Sequence, residues 1–270
     1  MGSGPLVPFD AGKPSVARLH DYALGGKDNF AADREMAAEL EGIFPLAPVL
    51  ARENREFLAR AVGYAARHGV AQFIDVGSGL PASPGVHEIA DLASPDARVA
   101  YVDNDPVVIS HTAALLTSPG RVAAVPGDAR RPRDILASPG LTALIDAGKP
   151  FCVILATILD FFEPAQAAQI VAAFRHAMPA GSFLIVSVGV SNDPALAQDW
   201  IKAYSAARVH LHSREQIAGY FAGLELVEPG LTEARLWRPL QPPPADGPRP
   251  ADLLAGVGRK PPAATPGQPG

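Results

Sequence analysis

The chain has 270 residues, 48% of them hydrophobic, and a formal net charge of −5. This length and apolar fraction are typical of a globular protein with one large α/β domain or two small ones. The acidic balance argues against nucleic acid as a partner, because phosphate binding needs clustered Lys and Arg. The single cysteine, Cys152, excludes an internal disulfide, and no Cys/His cluster predicts a metal site.

No segment of the sequence predicts membrane insertion. The N-terminus has no basic region followed by an apolar one, and the longest apolar run, residues 151–159, is too short to cross a bilayer. We therefore expect a soluble cytoplasmic protein that works as a monomer or a homodimer.

Helical patterns precede the first strand. Residues 1–14 are rich in Gly and Pro, which predicts a flexible N-terminus. Ser15 is placed to cap a helix that stops at Gly25 and Gly26. A second helix is predicted over 30–41, and a third begins near Leu46 and stops at Gly69. Residues 15–69 are therefore expected to form a helical extension.

From residue 70 the pattern alternates between strands and helices, which is typical of a doubly wound α/β sheet. The predicted strands cover residues 73–76, 98–103, 121–128, 151–157, 182–190, 224–227 and 234–237. The predicted helices cover residues 84–93, 106–116, 164–178, 194–206 and 214–223. Ser83 is the expected cap of the first of these, and a capping box at Ser213 opens the last. Residues 70–238 are expected to form the core domain.

Proline dominates the segment after this core. Residues 239–252 predict an extended linker. Residues 253–260 are expected to return as an edge strand, and residues 261–270 to be disordered.

Acidic residues end three successive predicted strands: Asp75, Asp103 and Asp128. The carboxyl ends of parallel strands meet at one crevice of an α/β sheet, where such folds bind ligands. Gly77-Ser78-Gly79 follows the first acid and permits a tight turn with close backbone approach to a ligand. The alternative is that these acids only cap helices and form turns.

The glycine turn by itself also satisfies a loose dinucleotide fingerprint, which is a weak signal. The acids favour S-adenosylmethionine (SAM) instead. Asp75 is placed to meet an amino-acid ammonium group, Asp103 suits ribose hydroxyls, and Asp128 suits an adenine amino group. Pro81 and Pro84 delay the next helix, which makes its N-terminus less suited to a pyrophosphate.

The N-terminal run PSVARLHDYALGGKDNFAADRE, residues 14–35, resembles the opening signature of the actinobacterial S-adenosyl methyltransferase family, formerly a domain of unknown function. The resemblance continues through FIDVGSGLP at 73–81, VAYVDNDP at 99–106 and GDAR at 127–130. It resumes with LELVEPGL at 224–231 and GVGRKP at 256–261. It therefore covers nearly the whole chain.

This resemblance implies a Rossmann-like class I methyltransferase fold, a seven-stranded, mostly parallel sheet with helices on both faces. It implies SAM as the methyl donor and S-adenosylhomocysteine (SAH) as the product, but it implies no particular acceptor, for which we expect a small molecule. Two alternatives stay open: an NAD(P)-dependent oxidoreductase and a SAM-binding protein without catalytic activity. The first is weakened because the chain has no Tyr-x-x-x-Lys pair.

Besides the acids and the glycine turn, further residues are expected at the cofactor. Asn104 lies beside the ribose, Gly127 and Ala129 border the adenine, and Ala156 and Thr157 face the methyl. The resemblance favours a lid over the site from the loop after the first helix, and its expected cofactor contacts are Tyr22, Gly25, Gly26 and Asn29.

A catalytic base is not evident from the sequence. The candidates are His20, Asp21, Tyr22 and His212. His210 and His212 alternate along the chain, but the pattern favours surface or capping histidines over a metal pair. Trp200 and Tyr204 stand four residues apart, and this spacing favours packing over a substrate cage.

Overall fold

A computed structural model describes residues 10–242 and 247–262. Residues 1–9 of the flexible terminus predicted over 1–14, residues 243–246 of the predicted linker, and residues 263–270 of the disordered tail predicted over 261–270 lie outside the described residues. In the part of the chain that is described, no helix is both long and apolar enough to cross a membrane.

Three helices precede the sheet: α1 (Val16–Ala23), α2 (Ala31–Ile43) and α3 (Ala47–Arg67). Pro48 lies in the first turn of α3, where its missing N–H leaves no helical hydrogen bond unmade. Arg18 and Asp33 join α1 to α2 through a buried ion pair, Nε to Oδ2, of 2.7 Å. The first two helices are therefore fixed to each other by a contact between charged groups.

One mixed sheet forms the centre of the fold. Its strands are β1 (Gln72–Val76), β2 (Arg98–Asp103), β3 (Val122–Pro126), β4 (Cys152–Ala156), β5 (Phe183–Ser191), β6 (Glu225–Leu226), β7 (Thr232–Glu233) and β8 (Ala251–Arg259). The order is β3-β2-β1-β4-β5-β8-β6, with β7 paired to β8. The first five strands are parallel to their neighbours, and β8 is antiparallel to β5. This order confirms the predicted fold class.

In the described residues, seven further helices connect the strands. They are α4 (Val86–Asp91), α5 (Pro106–Leu115), α6 (Pro132–Ala137), α7 (Pro139–Thr142), α8 (Pro164–Ala177), α9 (Pro194–Ala203) and α10 (Arg214–Gly219). Both faces of the sheet are covered, because neighbouring strand residues enter different cores. Phe73 packs with α3 and α4, whereas Ile74 packs with α6, α8 and α10.

The structure corrects four expectations about the elements. In the part of the chain that the structure describes, the sheet has eight strands because β7, only two residues long, pairs with β8. The strand predicted at 234–237 is a 3₁₀ helix, Ala234–Leu236, which seats the buried Trp237 against the α3 core. The predicted edge strand is β8, which lies inside the sheet between β5 and β6. The helix expected at 84 begins at Val86 after an N-cap at Gly85, whose N–H donates to Glu88.

A third, smaller core lies between the N-terminal helices and α9. Leu19 of α1 and Met36 of α2 are buried in it, and Trp200 and Tyr204 pack against them. The helical extension thus rests on α9, which follows β5. This contact places α1 over the edge of the sheet where the parallel strands end.

Candidate active site

A cavity of about 950 Å³ opens where the parallel strands end. It is lined by residues from the ends of β1 to β5 and from α1, α3 and α9. Most of the predicted cofactor residues line it: Asp75, Gly77, Ser78, Gly79, Asp103, Asn104, Gly127, Asp128, Ala129, Ala156 and Thr157. Ligand cavities in proteins measure about 300–1,000 Å³, so this one lies at the large end of that range.

The glycine turn after β1 requires glycine at both positions. Gly77 has φ 71° and Gly79 has φ 67°, in the left-handed region. A Cβ atom at Gly77 would lie 2.6 Å from the Ile158 side chain. The turn is held by the Gly77 N–H, which donates to the Val102 carbonyl at 2.8 Å. The backbone of the turn after β1 therefore forms part of the cavity wall.

Asp103, at the end of β2, is tied to this turn. Its Oδ2 accepts from the Gly79 N–H at 3.0 Å, and its Oδ1 accepts from the Asp105 N–H at 2.9 Å. Burial raises the pKa of Asp103 above its ordinary value, and these backbone hydrogen bonds oppose the shift. Asp103 both forms a turn and lines the cavity. The turn-forming and the ligand-binding interpretations of this acid are therefore compatible.

Asp75 is the most buried of the three acids, with 6% of its surface exposed. Burial raises its pKa to about 7; Arg55 lowers it and Asp103 raises it further. Among the described residues, no hydrogen-bond donor reaches its carboxylate, although Arg55 also lines the cavity. The Arg55 guanidinium instead donates to the Pro84 carbonyl at 2.6 Å. A buried carboxylate without a donor is suited to a cationic ligand group.

Asp128 differs from the other two acids because it has a cationic partner. Arg130 donates to it from Nε and Nη2 at 2.6–2.9 Å. This pairing lowers the pKa of Asp128, so the group is ionised. The Arg130 side chain is 57% exposed, which leaves it free to turn toward solvent when a ligand meets Asp128.

Ser78 provides a test of whether the cavity fits SAM. Its Oγ is buried, yet no described residue forms a hydrogen bond with it. Buried hydroxyls are nearly always hydrogen-bonded, so we expect a ligand in the cavity to supply the partner of this one. Together with three acids facing the same space, the orphaned hydroxyl matches a ligand that carries ammonium, hydroxyl and carboxylate groups.

Thr157 marks the opposite wall, at the end of β4. Its φ of 53° lies in the left-handed region, which is unusual for a β-branched residue. The Thr157 N–H donates to the Ser187 carbonyl at 2.9 Å, and this bond to β5 holds the conformation. Such strain is concentrated at functional sites.

The loop expected to form a lid lies next to the residues that line the cavity. Tyr22, Gly25, Gly26 and Asn29 do not line the cavity; His20 and Ala23 of α1 do. The reason lies in Asp21, whose carboxylate accepts from the Asp28 N–H and from the Asn29 side chain, both at 2.9 Å. A Cβ at Gly26 would lie 2.0 Å from that carboxylate. Gly26 thus serves the packing of the loop, and Tyr22 packs against the third core.

Three of the four candidate bases lie away from the cavity. Asp21 is used inside the loop, and Tyr22 is outside the lining. His212 is buried, with its ring nitrogens 2.5 Å from the Tyr220 hydroxyl and 3.0 Å from the Phe162 carbonyl, so it supports the fold. Only His20 reaches the cavity. Burial, and secondarily Arg55, lowers its pKa to about 4, so it is neutral near pH 7.

The sequence did not reveal the far wall of the cavity. It is lined by Asp160, Trp200, Tyr204 and His210, which come from separate segments of the chain and meet only in the folded protein. Trp200 and Tyr204 pack as predicted but also border the cavity. The one signal of this wall in the sequence is Asp160, an acid four residues after the end of β4.

The sheet order, the acids at the ends of β1, β2 and β3, and the glycine turn define a class I SAM-dependent methyltransferase. The family model for S-adenosyl methyltransferases matches residues 5–261. The chain therefore belongs to the S-adenosyl methyltransferase family, and SAM is its methyl donor.

Solved structures support this assignment. A candidate methyltransferase from Thermobifida fusca YX is 37% identical, with a TM-score of 0.88 over 93% of this chain and 97% of that one. A DUF574 family protein from Streptomyces avermitilis MA-4680 is 36% identical, with a TM-score of 0.87 over 93% and 99%. Human N-acetylserotonin methyltransferase, solved with SAM, shares the fold at 13% identity, with a TM-score of 0.50 over 93% and 63%. A comparison with curated protein sequences finds no match.

Proposed function

We propose that SAM lies across the ends of β1, β2 and β3, and that the acceptor is a small molecule bound in the rest of the cavity. The observation that carries this proposal is the single cavity lined by Asp75, Asp103 and Asp128. In this arrangement Asp75 meets the ammonium group, Asp103 the ribose hydroxyls, and Asp128 the adenine amino group.

The remaining cavity residues support the same orientation. Gly77, Ser78 and Gly79 would border the methionine part, with the Ser78 hydroxyl as a partner for its carboxylate. Asn104 would lie beside the ribose, and Gly127 and Ala129 beside the adenine. Arg55, whose charge lowers the pKa of Asp75, would balance the methionine carboxylate. Ala156 and Thr157 would then face the methyl group.

The sulfonium methyl is already activated, so the protein mainly supplies orientation and exclusion of water. α1 covers the cavity on one side, and α9 with its aromatic residues covers it on another. His20 is neutral near pH 7, but its lowered pKa makes it a weak proton acceptor. The main contribution of α1 and α9 is therefore to hold the acceptor in line with the methyl group.

Calorimetric titration with SAM and NAD in parallel tests the cofactor site. We expect saturable binding of SAM and no binding of NAD. Tight NAD binding without SAM binding would overturn the proposal and return the oxidoreductase alternative.

Methyl-labelled SAM, incubated with the protein and a cell extract that is afterwards separated by size, tests the acceptor. We expect label to appear in the low-molecular-mass fraction. Label found exclusively in protein or nucleic acid would overturn the small-molecule acceptor. Absence of transfer in repeated extracts, with SAM binding intact, would favour the non-catalytic SAM-binding protein.

A further inference from the structure

A second functional group lies in the cavity, away from the three strand-end acids. Asp160 belongs to the 3₁₀ helix Leu159–Phe161, which follows β4. Its Oδ1 accepts from the Gly189 N–H of β5 at 2.8 Å, and its backbone carbonyl accepts from the His210 N–H at 2.8 Å. These two hydrogen bonds fix the carboxyl group on the cavity wall, and no side chain among the described residues donates to its Oδ2.

Aromatic rings stand beside this carboxyl group. The Trp200 and Tyr204 ring centroids are 4.9 Å apart, and those of Phe161 and Tyr204 are 6.2 Å apart. All three residues line the cavity. The Trp200 indole N–H is buried and has no hydrogen-bond partner among the described residues. Aromatic faces next to a carboxylate form an environment that attracts an organic cation.

Asp160 has no cation of its own. In the described parts of the chain, no Lys, Arg or His forms an ion pair with it. The titratable groups that its charge affects are Tyr204 after α9 and Tyr220 after α10, and His210 before α10 contacts it through the backbone N–H. Burial, and secondarily the negative charge of Asp160, raises the pKa of both tyrosines, so both stay neutral. A half-buried carboxylate on a cavity wall needs a counter-ion, and here none of the described residues supplies one.

We infer that the methyl acceptor is an amine carried on an apolar or aromatic body, and that Asp160 binds its ammonium form and removes the proton before methyl transfer. This inference rests on the proposed function and names the class of its acceptor. A neutral hydroxyl acceptor would leave this half-buried carboxylate without a counter-ion, so the amine fits better.

The transfer balances in protons and electrons. The ammonium gives one proton to Asp160 Oδ2, and the freed nitrogen lone pair forms the new N–CH₃ bond. The electron pair of the broken S–CH₃ bond goes to sulfur, and the product leaves as the methylated ammonium. Burial raises the pKa of Asp160 to about 7, which suits a group that takes a proton near neutral pH.

Calorimetry on the protein saturated with SAH tests the inference with three probes of one shape: phenethylamine, 2-phenylethanol and 3-phenylpropanoate. We expect phenethylamine to bind about tenfold tighter than the other two, the effect of a charge-assisted hydrogen bond. Asp160→Asn should abolish this preference while SAH affinity and the circular dichroism spectrum stay unchanged. Asp199→Asn, an exposed residue of α9, is the matched control and should keep the preference.

Equal binding of the three probes, or no binding of phenethylamine at millimolar concentration, would overturn the inference. So would an Asp160→Asn variant that loses affinity for SAM but not for SAH, because Asp160 would then pair with the sulfonium. If Asp160→Asn does not fold, Asp160→Glu replaces it, and an unchanged probe preference there would count against a positioned carboxylate. Failure of SAH to bind would instead sink the proposed function, and this inference with it.

Discussion

The Asp103 carboxylate accepts a hydrogen bond from the Gly79 backbone N–H at 3.0 Å, which ties the end of β2 to the glycine turn after β1. The other oxygen of the same carboxylate accepts from the Asp105 N–H, just before α5. One side chain thus holds three segments of the cavity rim and still faces the cavity. The geometry of the proposed nucleoside site therefore depends on Asp103 more than on either of the other acids.

Replacement of Asp103 should weaken SAM binding. We expect Asp103→Ala to raise the Kd for SAM at least about tenfold, because hydrogen bonds to charged groups contribute about 1.5–3 kcal/mol. Asp103→Asn keeps one acceptor oxygen and should show a smaller loss. Asp96→Ala, an exposed acid before β2, is the control and should bind SAM like the parent. Parent-like affinity in Asp103→Ala, measured by calorimetry, would refute the proposed ribose contact.

Gly77 should not tolerate a side chain. Gly77→Ala would place a Cβ 2.6 Å from Ile158 at a φ of 71°, so we expect a loss of about 1–3 kcal/mol in unfolding free energy and weaker SAM binding. Urea titration measures the first and calorimetry the second. Gly219→Ala in α10 is the matched control, because its Cβ would meet no atom within 4 Å. The two variants should differ clearly; equal stability would show that the turn can adjust.

Asp75 should make the stability of the ligand-free protein depend on pH. Its folded-state pKa of about 7 lies above that of an unfolded aspartate. Its contribution is therefore fully present below about pH 4 and is lost as the pH rises through 7. Asp75→Asn cannot ionise, so its unfolding free energy relative to the parent should increase over this window, by at most about 1.4 kcal/mol per pH unit.

Urea titrations from about pH 4 to about pH 8 measure this difference. The comparison with Asp75→Asn is needed because the lowered pKa of His20 acts in the opposite direction below about pH 6.5. Asp134→Asn, an exposed acid of α6, is the control and should give a flat difference. A flat difference for Asp75→Asn as well would mean that its carboxyl group is not held in a desolvated environment.

The Arg18–Asp33 ion pair should stabilise the N-terminal wall of the cavity. Asp33 is fully buried and also accepts from the Ser15 and Phe30 N–H groups, both at 2.9 Å. Removal of one partner of a buried pair leaves an uncompensated charge, so we expect Asp33→Asn to cost about 3–5 kcal/mol in unfolding free energy. The test is chemical denaturation of this variant alongside Glu39→Gln. That control removes the charge of an exposed residue on the same helix and should cost little. A loss below about 1 kcal/mol would refute a structural role for the pair.

Much of the site could be predicted wherever the residues that form it lie close together in the sequence. An acid at the end of an apolar strand and a glycine turn after it are features of a few consecutive residues, and Asp75, Gly77 and Asp103 all line the cavity. The orientation of the loop after α1 could not be predicted in this way. Whether Asn29 points to the cavity or back to Asp21 depends on a competition between partners, which the pattern of residue types does not resolve.

The order of helices and strands by itself determined the fold class. Apolar residues repeat every two positions in strands and every 3.6 in helices, so the sequence shows where the two alternate. Only the tertiary structure decided which side chains share the far wall of the cavity. Asp160, Trp200 and His210 come from three separate segments, and the Ser187–Asn54 hydrogen bond of 2.7 Å joins residues 133 positions apart. Such contacts arise when elements pack, and packing depends on the shapes of surfaces that no short stretch of sequence contains.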